Sequence, residues 1–148
     1  PGHDHHRTQP SAGERFPIEI YPVILRPAGA IPSGVYHYDV QHHQLDVLWE
    51  RKFENAEIER MYSRSAKDAA MVIVMTAVFW RSQNKYGDRG YRYVILEAGH
   101  IGQNIYLVSA ALDLKCCALG STHDEYIEEL LDIDGVTESV VYALAVGR

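Results

Sequence analysis

With 148 residues, 47% of them hydrophobic and 23% charged, the chain is long enough for one domain with a substantial core and has the balance of a soluble globular protein. A formal net charge of −6 argues against partners that need a basic surface, namely nucleic acid and anionic membrane. The longest apolar run, Ala69 to Trp80, contains Thr76 and falls short of the roughly 20 residues that cross a bilayer. No signal-peptide pattern is present, and the chain opens on Pro1 rather than Met, which reads as processing or as part of a larger polypeptide. The only cysteines, Cys116 and Cys117, are neighbours, a spacing that strains a disulfide. Two reduced thiols on opposite faces of a buried strand, in a cytoplasmic protein, are the expectation.

Residues 1–15 form an irregular N-terminal segment punctuated by Gly2, Pro10, Ser11, Ala12 and Gly13. Within it, His3, Asp4, His5 and His6 read as an unstructured His-rich terminus or a tag remnant, because no further metal ligands follow at motif spacing. Residues 16–148 read as an α+β domain. Phe16 to Leu25 alternates as a strand, with Pro22 marking an edge position or a bulge. Gly34 to Asp39 and Gln44 to Trp49 form a hairpin that turns through Val40 to His43. Glu54 to Ser63 has Ile58 and Met61 at helical spacing, and Ala69 to Trp80 is a buried strand by its continuous apolar run. Arg89 to Leu112 is the long helix, since Val94, Ala98, Ile101, Ile105, Val108 and Leu112 recur in steps of three and four without a proline. Ala98 and Gly102, four apart, suit a close helix–helix crossing. Lys115 to Leu119 is a short strand ending at Gly120. His123 to Ile133 is a helix capped by Ser121 or Thr122, with Asp124, Glu125, Glu128, Glu129 and Asp132 as its solvated acidic face. Ser139 to Val146 is the last strand. This order predicts one central long helix packed against a sheet.

The most informative stretch runs from Lys85-Tyr86-Gly87 to Gln103-Asn104. It sets a Lys–Tyr pair in a glycine-punctuated loop just before the long helix, whose first half mixes Glu97, His100, Gln103 and Asn104 with Ala98, Gly99 and Gly102. Small residues admit a close neighbour and polar ones orient it, so the pattern reads as a site. On the residues alone, Lys85 reads as a solvated loop cation and Tyr86 as a packing group. Glu97, His100 and Gln103 read as satisfied core or interface groups.

Three further blocks accompany it: Pro10-Ser11-Ala12-Gly13 followed by Pro17-Ile18-Glu19-Ile20-Tyr21, Ser33-Gly34-Val35-Tyr36, and Ala118-Leu119-Gly120 with the closing Tyr142 to Gly147. In this order, and over nearly the whole chain, they resemble the SagB-type dehydrogenases, the azoline-oxidase branch of the nitroreductase-like FMN-dependent flavoproteins. The resemblance implies a nitroreductase-like FMN-binding fold, a long central helix against a mainly antiparallel sheet, in an intertwined homodimer with FMN at the interface. It implies that Lys85 and Tyr86 are catalytic. Arg7, Pro10, Ser11, Ala12, Gly13, Leu119, Gly120 and Arg148 would bind the cofactor. The family's arginine-rich segment upstream of Pro-Ser-Ala-Gly has no counterpart here, so the resemblance implies an N-terminally truncated member.

The activity so implied is dehydrogenation of thiazoline and oxazoline rings to azoles, on a peptide presented by a modifying complex or carrier. A positioned base is what that chemistry needs, because a ring proton leaves as hydride goes to the flavin. Two alternatives remain: an NAD(P)H-dependent nitro or quinone reductase, and a catalytically silent dimeric scaffold subunit.

Overall fold

A computed structural model of the chain describes residues 7–27, 29–62 and 66–148; the His-rich residues 3–6 lie outside them. A short turn of 3-10 helix, Ala12–Glu14, precedes β1 (Ile18–Ile24), β2 (Gly34–Asp39), β3 (Gln44–Glu50), α1 (Asn55–Tyr62), β4 (Met71–Ala77), α2 (Trp80–Tyr86), α3 (Arg89–Ala111), β5 (Lys115–Ala118), α4 (Asp124–Leu131) and β6 (Ser139–Gly147). The strands form one six-stranded sheet in the order β3-β2-β1-β4-β6-β5, every pairing antiparallel. This is the α+β architecture expected from the sequence.

Both faces of the sheet are covered. Strand alternation sends Val72 and Val74 of β4, with Ala143 and Ala145 of β6, to one side, where they pack with Ile58, Met61 and Tyr62 of α1 and Ile127 and Leu131 of α4. The intervening Met75 and Leu144 go to the other side, against Val94 and Ala98 of α3. Period-2 strands packed against period-3.6 helices give two apolar layers about one sheet. Gly102 is needed in this packing: a Cβ there would sit 2.7 Å from the Tyr142 ring. Ala98 and Gly102 therefore serve a helix–sheet contact, not the helix–helix crossing their spacing suggested.

Four local expectations change. β1 lies inside the sheet rather than at its edge. Pro17 O and Leu25 N both bond to β4's side, so alternation turns Pro22's missing N–H toward β2, whose pairing with β1 is confined to Val23 and Ile24. β5 is an edge strand, with Cys117 exposed and Cys116 half-buried. No side chain caps α4: His123 occupies the N-cap position, and Thr122 Oγ1 donates to Asp124 Oδ1 instead, at 2.6 Å. Glu128 is not part of a solvated face, since its carboxylate accepts the Val140 N–H at 3.1 Å.

The largest difference is α2. Ala69 to Trp80 was expected to be strand throughout and Lys85-Tyr86 to lie in a loop, yet Trp80 opens a helix whose last turn is Lys85-Tyr86. Gly87, at φ 55° and ψ −142°, ends it in a backbone region open essentially to glycine alone. α3 then crosses α2 so closely that a Cβ on Gly90 would lie 2.9 Å from both the N and Cα of Gln83. That neighbour is helix backbone and cannot yield. Gly90→Ala is expected to cost about 1–3 kcal/mol as overpacking, seen as a lower Tm with α2 displaced.

Candidate functional site

The turn at Ser11 to Phe16 is where the expected site residues meet. Gly13, Glu14 and Phe16 all have positive φ, at 61°, 54° and 44°, a left-handed run that only glycine adopts without cost. Ser11 holds it by accepting the Phe16 N–H on Oγ at 2.9 Å, and Glu14 N–H bonds to Ser11 O at 3.2 Å. The Arg7 guanidinium lies 4.0 Å over the Phe16 ring. Asn104 Nδ2 donates to Thr8 Oγ1 at 3.1 Å, tying the segment to α3.

Helix α2 runs alongside this turn. Arg81 and Lys85 are one helical turn apart and share a face. Arg81 Nη1 donates to Phe16 O at 3.0 Å and to Glu19 Oε1 at 2.5 Å, and Glu19 Oε2 sits 3.0 Å from His37 Nε2. With the lower end of the helix pinned, its last turn reaches Gly13. A Cβ on Gly13 would overlap the Tyr86 hydroxyl and come within 2.9 Å of Lys85 Nζ. Lys85 Nζ is 5.3 Å from the Tyr86 ring centroid, and the Tyr86 ring meets Tyr93 edge-on at 5.2 Å. An amine and a phenol thus converge on bare backbone, with Lys85 exposed and Tyr86 half-buried.

Beneath the turn lies Glu97 of α3, 3% exposed, with Oε1 lacking any partner. Burial raises its carboxyl above the usual range, opposed by a hydrogen bond from Ser11 and by the charges of Arg7 and His100.

Not every expected residue gathers here. Leu119 N–H bonds Ala143 O, and its side chain packs in the α1–α4 layer. Gly120 beside it is exposed, with no heavy atom within 4 Å of where a Cβ would stand. β5, which leads to them, is three strands from β1, about 14 Å at normal strand spacing. Arg148 follows Gly147, whose partner is Lys115. It lies at the Met71 end of β4, whereas Ile18 pairs with Ala77 at the other end, about 20 Å away along the strand.

Sequence reasoning missed Arg81, Glu19 and the buried, unpartnered Glu97 Oε1. The i, i+4 spacing of Arg81 and Lys85 was available, but only to a reader who had placed both on one helix. Among the described residues no group of three His, Cys, Asp or Glu side chains can hold a metal ion, and no helix is long and apolar enough to cross a membrane.

Comparison with known proteins adds three relatives to a family match. The sequence matches the family described as "Nitroreductase family" over residues 4–148. It is 34% identical over 143 residues to a nitroreductase-family protein of Methanocaldococcus jannaschii, covering 96% of this chain and 70% of that one. It is 33% identical over 147 residues to the trifolitoxin-processing protein TfxB of Rhizobium leguminosarum bv. trifolii, covering 94% of this chain and 39% of that one. The crystal structure of a nitroreductase-family protein of Anabaena variabilis superimposes with a TM-score of 0.86 at 34% identity, covering 95% of this chain but 29% of that one. The chain therefore spans well under half the length of the last two.

Proposed function

The chain belongs to the nitroreductase family, and from that premise we propose that it serves an FMN-dependent oxidoreductase that dehydrogenates thiazoline and oxazoline rings to azoles during maturation of a peptide natural product. The observation that carries this reading is the convergence of Lys85 Nζ and Tyr86 Oη on Gly13. The similarity to a protein named for processing trifolitoxin supports the peptide context.

FMN, when bound, supplies the two-electron acceptor. Aromatising an azoline removes one proton and one hydride from adjoining ring carbons, and the chain's own residues deal with the proton. Lys85, exposed at the end of a short helix, takes it as the base, and the Tyr86 hydroxyl shares it across the Gly13 backbone. Gly120 suits a flat ligand because it presents backbone with nothing standing over it, while the Gly13 backbone is where Lys85 and Tyr86 rest.

Arg7, Pro10, Ser11, Ala12 and Gly13 would hold the cofactor from one side, and Leu119, Gly120 and Arg148 from the other. With its N–H engaged by Ala143, Leu119 contributes through its carbonyl and shape, leaving the backbone approach to Gly120. One chain keeps these two sets apart, so a site using both requires a second copy, in a homodimer. α3 offers a surface for it, exposing Leu96 (54%), Leu107 (60%) and Val108 (58%), with Leu112 (65%) just past its end, apolar side chains that a second copy would cover. The two free thiols fit a cytoplasmic setting.

The first test is a visible absorption spectrum of the complete natural polypeptide, taken before and after FMN addition and desalting. A retained flavin band, shifted from that of free FMN, is expected; a colourless protein after reconstitution sinks the flavoenzyme reading. Rapid flavin-dependent oxidation of NADPH with no azole formation would assign the site instead to a nitro or quinone reductase.

A further inference from the structure

A cavity of about 360 Å³ lies between the two segments that flank the Ser11 to Phe16 turn, a volume within the roughly 300–1,000 Å³ of sites that hold small ligands. Four branched aliphatic side chains line it: Ile18 and Ile20 from β1, Val40 just past β2 and Ile101 from α3. The segment from Arg7 to Gln9 lines it too, tied to α3 by the Asn104–Thr8 hydrogen bond. Ile20 and Ile101 are only partly buried and Val40 is 39% exposed, so apolar surface is left for an occupant to cover. The charged groups in the wall are already engaged. Arg7 stands over the Phe16 ring, and Glu19 is held by Arg81 and His37. One cation and one carboxylate, each with its own partner, select no charged ligand, and the walls favour a neutral, apolar one.

The distance from the reactive pair gives the cavity a use. Tyr93 of α3 meets the Tyr86 ring, and Ile101, eight residues on in the same helix, lies about 12 Å further along it. An extended peptide covers that span in about three or four residues. We propose that this cavity is a specificity pocket for the peptide substrate, taking an apolar side chain three or four residues from the ring on which Lys85 and Tyr86 act. The proposal rests on the reading of Lys85 and Tyr86 as the reactive groups, and it goes further by stating what else of the peptide the protein holds.

The test uses the complete natural polypeptide and fluorescein-labelled peptides that already carry an azole, so that binding is read by anisotropy without turnover. Leu or Phe three or four residues from the ring is expected to bind about tenfold or more tighter than Gly or Asp there, with no such preference farther along the peptide. Two variants place the effect in the cavity. Val40→Trp fills its mouth and is expected to abolish the preference; Val40→Asp puts a carboxylate there and is expected to turn it from Leu to Lys. Val40 is partly exposed in the turn after β2, so both variants are expected to melt near the wild-type Tm. With azoline peptides the preference is expected in KM, at unchanged kcat. Absence of binding, binding indifferent to these positions, or a preference that survives Val40→Trp overturns the proposal. An altered oligomeric state in Val40→Trp with the preference intact also overturns it and gives the cavity to a second copy. A preference lost in Val40→Trp, in a protein that never oxidises azolines, leaves the pocket standing and rejects the proposed reaction alone.

Discussion

Lys85→Ala is expected to leave a folded, flavin-retaining protein whose azoline oxidation falls by about 10²–10⁴-fold, the usual contribution of a positioned base. Lys85 is exposed in the last turn of α2, and truncating an exposed side chain away from packed contacts usually shifts stability by less than about 0.5 kcal/mol. Fold and catalysis therefore separate cleanly at this position. The controls are the thermal midpoint and the flavin spectrum; the readout is single-turnover formation of azole. Turnover that survives with the flavin band intact would remove Lys85 from the chemistry. Tyr86→Phe completes the comparison, because it deletes the hydroxyl over Gly13 while keeping the edge-on ring contact with Tyr93.

Gly13→Ala should damage activity far more than stability. Gly13 has φ 61° and ψ 26°, and placing a Cβ in that left-handed region costs about 1–2 kcal/mol. The new Cβ would overlap the Tyr86 hydroxyl and crowd Lys85 Nζ, yet both are the far ends of flexible side chains and can swing away. Relief of the overlap is thus inexpensive for the fold and harmful for the site, since it moves the two groups that must be held. A displacement of about 1 Å is worth roughly 10²-fold in rate. A modest fall in Tm with a drop in kcat of that order is expected. A fall in Tm with wild-type kcat would show that the pair is not positioned by this turn. Gly90→Ala gives the opposite pattern, because its obstruction is the backbone of Gln83 and cannot move aside.

The contrast between α3 and α2 shows what kind of information a sequence holds. α3 was expected from Arg89 to Leu112 and runs Arg89–Ala111, because its apolar residues repeat with the helical period over about five turns. α2 has the sequence WRSQNKY with only Ser82 buried, which leaves no period to read. It exists because Phe79 O accepts from Ser82 and Gln83, because Arg81 grips Phe16 and Glu19, and because Gly90 lets α3 lie against it. The Phe79 bonds are the helix's own first turn; the other partners are tertiary. The same holds for Ala98 and Gly102, whose spacing announces a close approach without saying to what; the Tyr142 ring is the answer.

The sequence by itself determined the elements whose pattern is local: the six strands and the hairpin turn at Val40 to His43 by alternation, apolar runs and turn residues, with β4 drawn past its end at Ala77, and α3 by its period. Together with the motif order, that was enough for the α+β class and the family. Only the tertiary structure decided that Pro22 sits inside the sheet, that Cys116 and Cys117 lie on an edge strand, and that Lys85 and Tyr86 end a helix poised over Gly13. It also left Arg148 and the Leu119–Gly120 turn apart from them. The physical reason is the range of the interactions. Periodicity records which side of one element meets the core, whereas a site is made where elements distant in the chain cross, and the residues that fix that crossing carry no repeating signal of their own.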